Sequence, residues 1–131
     1  MPRRLICLAL ATIALPGCGG QGTDDPEGVA ERFYAAVAGE HGSRACALLS
    51  PDLLTEIEDQ EKKPCEEAIL TLELNGSVVH HAEAYIETAA VEMDGGDRVF
   101  LDETPAGWRI AAVGCRPEPG EETPQGCEAE T

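Results

Sequence analysis

Two histidines and a glutamate lie close together on one predicted strand, and they are the residues of this chain best suited to acid–base chemistry. The run "SVVHHAEAY" contains His80, His81 and Glu83. Neighbouring residues on a strand point to opposite faces, so His80 and His81 cannot bind one metal ion together. His81 and Glu83 share a face and could form a proton-transferring dyad. Histidine and glutamate side chains are more often exposed at the surface than part of a site. We therefore predict that His81 is exposed to solvent.

Two aromatic residues could complete a pocket beside this pair. Trp108 opens the run "GWRIAAVGC" next to Arg109, and an aromatic ring beside a cation can hold a ligand. Alternatively, Trp108 and Ile110 both lie in the core, because residues two apart on a strand share a face. The pocket interpretation predicts small-molecule binding or catalysis by His81, Glu83, Tyr85 and Trp108.

Other motifs that carry chemistry are absent from the sequence. There is no G-x-S-x-G nucleophile motif and no glycine-rich phosphate loop. The acidic runs "EIEDQE" and "EPGEET" lack the oxygen spacing of a calcium loop. We therefore predict no catalytic residue, no metal site and no cofactor, and we favour a protein that is not an enzyme.

An apolar run near the start of the chain predicts export. Arg3 and Arg4 precede "LICLALATIAL", which is shorter than the ~20 residues of a membrane-spanning helix and typical of a signal peptide. The run ends in "LPGC" at Cys18, which resembles the lipobox of bacterial lipoproteins. That resemblance implies cleavage before Cys18 and a diacylglycerol thioether on its sulfur. Two acyl chains would then hold the protein on the outer face of the cytoplasmic membrane.

The cysteines of the folded part of the chain are even in number, as an oxidising compartment outside the cytoplasm predicts. Four cysteines permit three connectivities, and the nearest-neighbour pairing closes two short loops. We predict that pairing, although the sequence alone does not choose among the three. Zinc binding is the competing interpretation, but the Cys-x-x-Cys pair that is typical of zinc sites is absent. The cysteines concerned are Cys46, Cys65, Cys115 and Cys127.

Size and charge limit the classes of protein to which the chain can belong. Its 131 residues, of which 43% are hydrophobic, allow one domain with a modest core. Nine Lys and Arg residues stand against 25 Asp and Glu residues, which gives a formal net charge of −16. Because phosphate binding requires a basic surface, we expect no nucleic-acid partner.

Periodicity predicts the elements that must position these residues. Four helical segments come first, and their starts are marked by Asp25 before Pro26 and by Ser50 before Pro51. They are "DPEGVAERFYAAVAG", "SRACALLS", "SPDLLTEIEDQ" and "PCEEAILTLEL". Short β-branched runs separated by turn signals then predict roughly four antiparallel strands. These are "SVVHHAEAY", "TAAVEM", "DRVFLDE" and "GWRIAAVGC". Helices followed by a meander indicate an α+β fold with the helices on one face of the sheet.

The chain therefore divides into four predicted segments. A signal peptide (1–17) precedes the lipidated cysteine and a flexible tether (18–25), because "GGQGTDD" contains three glycines and no apolar residue. The α+β domain occupies 26–116. An acidic tail, 117–131, is pinned by Cys127.

Five pieces follow one another along the chain: "FYAAVAGEH", "ACALLSP", "CEEAI", "GGDRVFL" and "GWRIAAVGC". In the order of these pieces, the chain resembles small lipoproteins of high-GC Gram-positive bacteria. Their domain is similar to the nuclear-transport-factor-2-like α+β cone. The resemblance implies a cone-like shape but no particular activity, since that fold serves enzymes, binders and scaffolds. We expect a membrane-anchored lipoprotein that acts as a non-enzymatic binding or adaptor domain of the cell envelope. Its partner would be an envelope protein or a small ligand.

Overall fold

The computed structural model describes residues 25–116 and 126–131. The predicted signal peptide, Cys18, most of the predicted tether and residues 117–125 of the predicted tail lie outside the described residues. Within them, helices precede strands, as the sequence predicts for an α+β fold.

Four α-helices form the first half of the described chain: α1 (Pro26–Ala38), α2 (Gly42–Cys46), α3 (Pro51–Glu61) and α4 (Cys65–Ala68). The two longer ones begin where the sequence places their caps. The Asp25 carboxylate accepts a hydrogen bond from the Gly28 N–H, and Ser50 Oγ accepts one from the Leu53 N–H at 3.2 Å. These bonds satisfy N–H groups that the first turn of a helix leaves without a partner.

The fourth predicted helix is shorter than its sequence pattern indicates. α4 ends at Ala68 and continues only as a 3₁₀ turn, Ile69–Thr71, before the backbone of Leu72 becomes extended. Leu72 and Leu74 then pack against the core from an extended segment. Packing of these two side chains therefore overrides the helical propensity of "TLEL".

The second half of the domain is an antiparallel sheet of five strands in the order β1-β2-β3-β4-β5. The strands are β1 (Val79–Ala84), β2 (Thr88–Met93), β3 (Arg98–Thr104), β4 (Gly107–Cys115) and β5 (Ala129–Glu130). The first four match the predicted runs. β5 was not predicted, because a strand of only two residues shows no alternation of buried and exposed side chains.

Side chains of the sheet alternate between two faces. Ala89, Val91 and Met93 of β2 and Val99 and Leu101 of β3 are buried, and they form one core with the helices. The intervening side chains lie on the opposite side of the sheet, which we call the outer face. Within residues 25–116 and 126–131, the helices thus cover one face of the sheet, as predicted.

Two disulfides join elements of this core. Cys46–Cys65 links α2 to α4, and Cys115–Cys127 links the end of β4 to the segment before β5. These are the predicted nearest-neighbour pairs. The first link accompanies a close approach of the two short helices, because a Cβ atom on Gly42 would lie 1.9 Å from the Glu66 carbonyl oxygen.

A buried carboxylate ties the hairpin between β2 and β3 to the rest of the domain. Asp97 is 0% exposed and accepts hydrogen bonds from the Tyr34 hydroxyl, the Asn75 N–H and Arg116 Nε. A carboxylate buried without such partners would be very costly, so the three donors are what make its burial possible. Arg116 Nη2 also donates to the Glu73 carbonyl at 3.0 Å.

Candidate functional site

The side chains best suited to binding or catalysis lie on the outer face of the sheet. His81 and Glu83 of β1 lie on this face, and the side chains that alternate with the core residues of β2 and β3 join them. Shifts of register interrupt β1 between Val79 and His81 and the β3–β4 pairing around Phe100. Such irregularities bend and twist strands. A concave pocket lies on this outer face.

The concavity is a groove of about 430 Å³, which we call the outer groove. One end is formed by His81, Glu83 and Tyr85 of β1 and its turn, and the other by Glu130 of β5 and the following Thr131. Its volume lies within the range of small-ligand sites, which is roughly 300–1,000 Å³. Size alone therefore permits a small organic ligand.

A short chain of hydrogen bonds lies at the β1 end of the groove. His81 Nε2 lies 3.3 Å from Glu83 Oε1, and the Tyr85 hydroxyl donates to Glu83 Oε2 at 3.3 Å. Glu83 thus bridges the histidine and the tyrosine. All three side chains are exposed, and those of His81 and Glu83 are 61% and 58% accessible.

This environment favours the charged form of Glu83. Hydrogen bonds from His81 and then from Tyr85 lower the pKa of Glu83 below its usual value. A general acid or base at neutral pH needs a pKa near the working pH and a site with little water. Glu83 has neither property, so it can supply a negative charge and hydrogen-bond acceptors but is poorly suited to proton transfer.

Negative charge predominates along the groove. Arg98 Nη2 lies 3.7 Å from Glu92 Oε2, and this pair neutralises one of the carboxylates. The acidic and basic side chains that line the groove are Glu83, Glu92, Asp102, Glu130, Arg98 and His81. With one permanent cation among four carboxylates, the groove attracts positive groups and repels anions.

The floor of the groove is apolar. Ala90, Phe100 and Ala112 contribute small or aromatic surface from β2, β3 and β4. Phe100 is half-buried although it lies on the outer face. An apolar floor with carboxylates at the rim is complementary to a ligand that has an apolar body and a positively charged group.

The structure brings three of the four predicted pocket residues together. His81, Glu83 and Tyr85 line the outer groove, and His81 is exposed, as predicted. Trp108 does not join them, because it is 7% exposed and packs in the core beside Ile110 on the helix side of the sheet. The alternative interpretation of the sequence, in which Trp108 and Ile110 share a face of β4 and both lie in the core, is therefore the correct one.

Sequence reasoning did not identify Glu92, Arg98, Phe100 and Asp102 as part of the groove. The alternation of these residues with the core residues could have identified them. Once His81 and Glu83 are assigned to the outer face, every second residue of β2 and β3 is expected on the same face. Glu130 could not have been found in this way, since β5 was not predicted.

No group of three or more His, Cys, Asp or Glu side chains within residues 25–116 and 126–131 is arranged to hold a metal ion. Across the same residues, no helix is long and apolar enough to cross a membrane. The four predicted disulfide cysteines are all in disulfides.

Comparison with known proteins places the chain in no family, since no family model, curated protein or solved structure matches it. The resemblance to lipoproteins with a cone-like domain therefore stays a prediction.

Proposed function

We propose that this chain is a lipid-anchored binding domain of the cell envelope, whose outer groove takes up a ligand with an apolar body and a positive charge. The single observation that carries this proposal is the combination, in one groove of about 430 Å³, of an apolar floor and a rim rich in carboxylates.

Binding accounts for the groove better than catalysis does. Catalysis by a small domain needs at least two positioned groups in a water-poor cavity, with pKa values suited to proton transfer. His81 and Glu83 are in contact but lie on an open, hydrated face, and the pKa of Glu83 is lowered. A binding role needs only the complementarity of surface and charge that the groove provides.

The location is the second part of the proposal. The lipobox-like "LPGC" supports acylation of Cys18, and the two disulfides agree with an oxidising compartment. A position on the outer face of the cytoplasmic membrane agrees with both the lipobox-like motif and the disulfides. There the tether would leave the groove accessible to molecules that pass through the envelope.

We further propose that the domain is a relative of the nuclear-transport-factor-2-like cone. Helices packed on one face of a bent antiparallel sheet support this relationship. It bears on shape alone, because the activity of that fold depends on the individual site.

Two probes of similar size and opposite charge test the ligand class. Phenethylamine and phenylacetate share an aromatic ring and differ in the sign of their charge, and isothermal titration calorimetry gives the affinity of the full chain for each. We expect phenethylamine to bind and phenylacetate not to bind. Equal binding of both, or binding of phenylacetate alone, would contradict the proposed charge selectivity.

Variants locate the binding. Glu83→Gln should weaken phenethylamine binding about threefold to tenfold by removing one rim charge, and Phe100→Ala should weaken it by removing the floor. Glu56→Gln is the matched control, since Glu56 is an exposed carboxylate on α3, away from the groove. It should leave the affinity unchanged.

A further inference from the structure

The outer edge of β1 has main-chain groups that no described strand pairs. β1 is the first strand of the sheet, with β2 on one side only. The Tyr85 N–H donates to the Thr88 carbonyl at 2.7 Å, so Tyr85 directs its main-chain groups toward β2. In an antiparallel ladder this direction alternates, and the main-chain groups of Ala82 and Ala84 therefore point away from the sheet.

Exposed hydrophobic side chains concentrate beside this edge. Among the described residues, four large hydrophobic side chains are exposed, and three of them flank β1: Val78 at 55%, Tyr85 at 63% and Ile86 at 92%. An unpaired edge with apolar neighbours is a template for the addition of another strand.

We propose that β1 pairs with β1 of a second copy of this chain, antiparallel and with the two-fold axis at Ala82. In this register the Ala82 main chains face each other and exchange two hydrogen bonds. Their small side chains allow the close approach. The pairing joins two five-stranded sheets into one continuous sheet and leaves each groove on the same face of it.

Charge complementarity selects this register. With the axis at Ala82, His81 lies directly opposite Glu83 of the second copy, and the symmetry repeats the pair. Centring the axis on His81 would place two histidines opposite each other, and centring it on Glu83 would oppose two carboxylates, which is destabilising. An axis at Ala84 would set His81 opposite Glu87, which lies beyond the end of β1. Of these four axes, only the one at Ala82 sets His81 opposite Glu83 with both residues inside the strand.

The pairing would also complete the groove. His81 and Glu83 line its β1 end and are in contact within one chain at 3.3 Å. In the dimer these side chains and their counterparts in the second copy form a ring in which histidines and carboxylates alternate. The two outer grooves then meet at the axis, so that each copy contributes residues to the end of the other's site.

The edge is short, and the dimer should accordingly be weak and dependent on concentration. β1 has six residues, and the bulge between Val79 and His81 limits regular pairing to its later part. Small interfaces of this kind lie at the weak end of specific association. We expect a monomer–dimer equilibrium rather than a permanent dimer.

Charge reversal and rescue test the register. Sedimentation equilibrium of the full chain in density-matched detergent micelles gives the dissociation constant of the dimer. His81→Glu places two Glu–Glu pairs across the axis and should weaken the dimer at least about tenfold. Adding Glu83→Lys to His81→Glu restores unlike pairs and should recover most of the wild-type affinity. Glu56→Lys on exposed α3 changes the net charge by the same amount as Glu83→Lys, and when it is added to His81→Glu it should not restore the dimer.

A main-chain variant tests the edge itself. Ala82→Pro removes an N–H that points away from the sheet, a position where an edge strand tolerates proline, so the monomer should keep its fold and its disulfides while the dimer is lost. Circular dichroism and peptide mapping verify the fold. A wild-type chain that stays monomeric up to millimolar concentration would overturn the proposal. So would an Ala82→Pro variant that is folded and dimerises normally, or a failure of the double charge variant to recover.

Discussion

The Tyr34 hydroxyl donates a hydrogen bond to Asp97 Oδ2 at 3.1 Å and joins α1 to the residue that precedes β3, across 63 positions of sequence. Both groups are buried, and the Asn75 N–H and Arg116 Nε complete the shell of the carboxylate. The bond fixes the helical layer against the hairpin between β2 and β3, and the same hairpin supplies much of the groove.

Removing this hydroxyl should destabilise the domain measurably. Tyr34→Phe keeps the ring and deletes one of three donors to Asp97, so we expect a loss of about 1–2 kcal/mol in the free energy of unfolding. Asp97→Ala should cost more, on the order of 3 kcal/mol, because it leaves the buried Tyr34 hydroxyl and the partly buried Asn75 N–H without an acceptor. Urea denaturation followed by circular dichroism measures both. Equal stability of Tyr34→Phe and wild type would contradict a role for the bond.

Alkaline pH should weaken the same contact. Burial, and then the negative charge of Asp97, raise the pKa of Tyr34 above its usual value of about 10. A raised pKa means that the folded state holds this proton more tightly than the unfolded state does. The contribution to stability is therefore fully present below pH about 10 and is lost as the pH rises further. Unfolding free energies between neutral and alkaline pH should fall more steeply for wild type than for Tyr34→Phe, and parallel curves would contradict this cause.

The two disulfides should differ in what their removal does. Replacing Cys46 and Cys65 with alanine opens a loop of 19 residues and should lower stability by about 2–4 kcal/mol while leaving ligand affinity unchanged in the folded protein. Replacing Cys115 and Cys127 frees the segment that leads to β5, whose Glu130 lines the groove. That variant should also bind phenethylamine more weakly. Calorimetry on both folded variants makes the comparison, and identical affinities would contradict a part for β5 in the groove.

Several elements follow directly from the sequence. α1 and α3 were predictable because Asp25 and Ser50 cap them and a proline follows each cap. The first four strands were predictable because alternation and turn residues bound them. Local signals of this kind act over a few residues and need no knowledge of the tertiary structure.

Other features depend on contacts that a single sequence does not display. Asp97 looks like an ordinary turn residue, and its burial depends on Tyr34, Asn75 and Arg116, which come from distant segments. The end of α4 depends on the core that Leu72 and Leu74 enter. The outer groove depends on the bend of the sheet, and β5 depends on the Cys115–Cys127 disulfide beside it.

Membrane attachment should depend on one sulfur atom. We expect the full chain to fractionate with membranes and to incorporate labelled fatty acid, and Cys18→Ala should abolish labelling and leave the chain unprocessed or released. Cys7→Ala is the matched control, because Cys7 lies within the predicted signal peptide. A Cys18→Ala chain that is processed, labelled and retained like wild type would contradict the lipobox interpretation.

The position at which a cationic amphiphile binds to the fold is the sharpest test of the proposed binding function. Amide chemical shifts of the full chain in detergent micelles, recorded with phenethylamine and then with phenylacetate, map each probe onto the fold. We predict that phenethylamine shifts the amides around Glu83, Phe100 and Glu130, leaves those of α3 in place, and that phenylacetate shifts neither set. Perturbations confined to the helices, or equal perturbation of the groove by both probes, would contradict the proposed binding function.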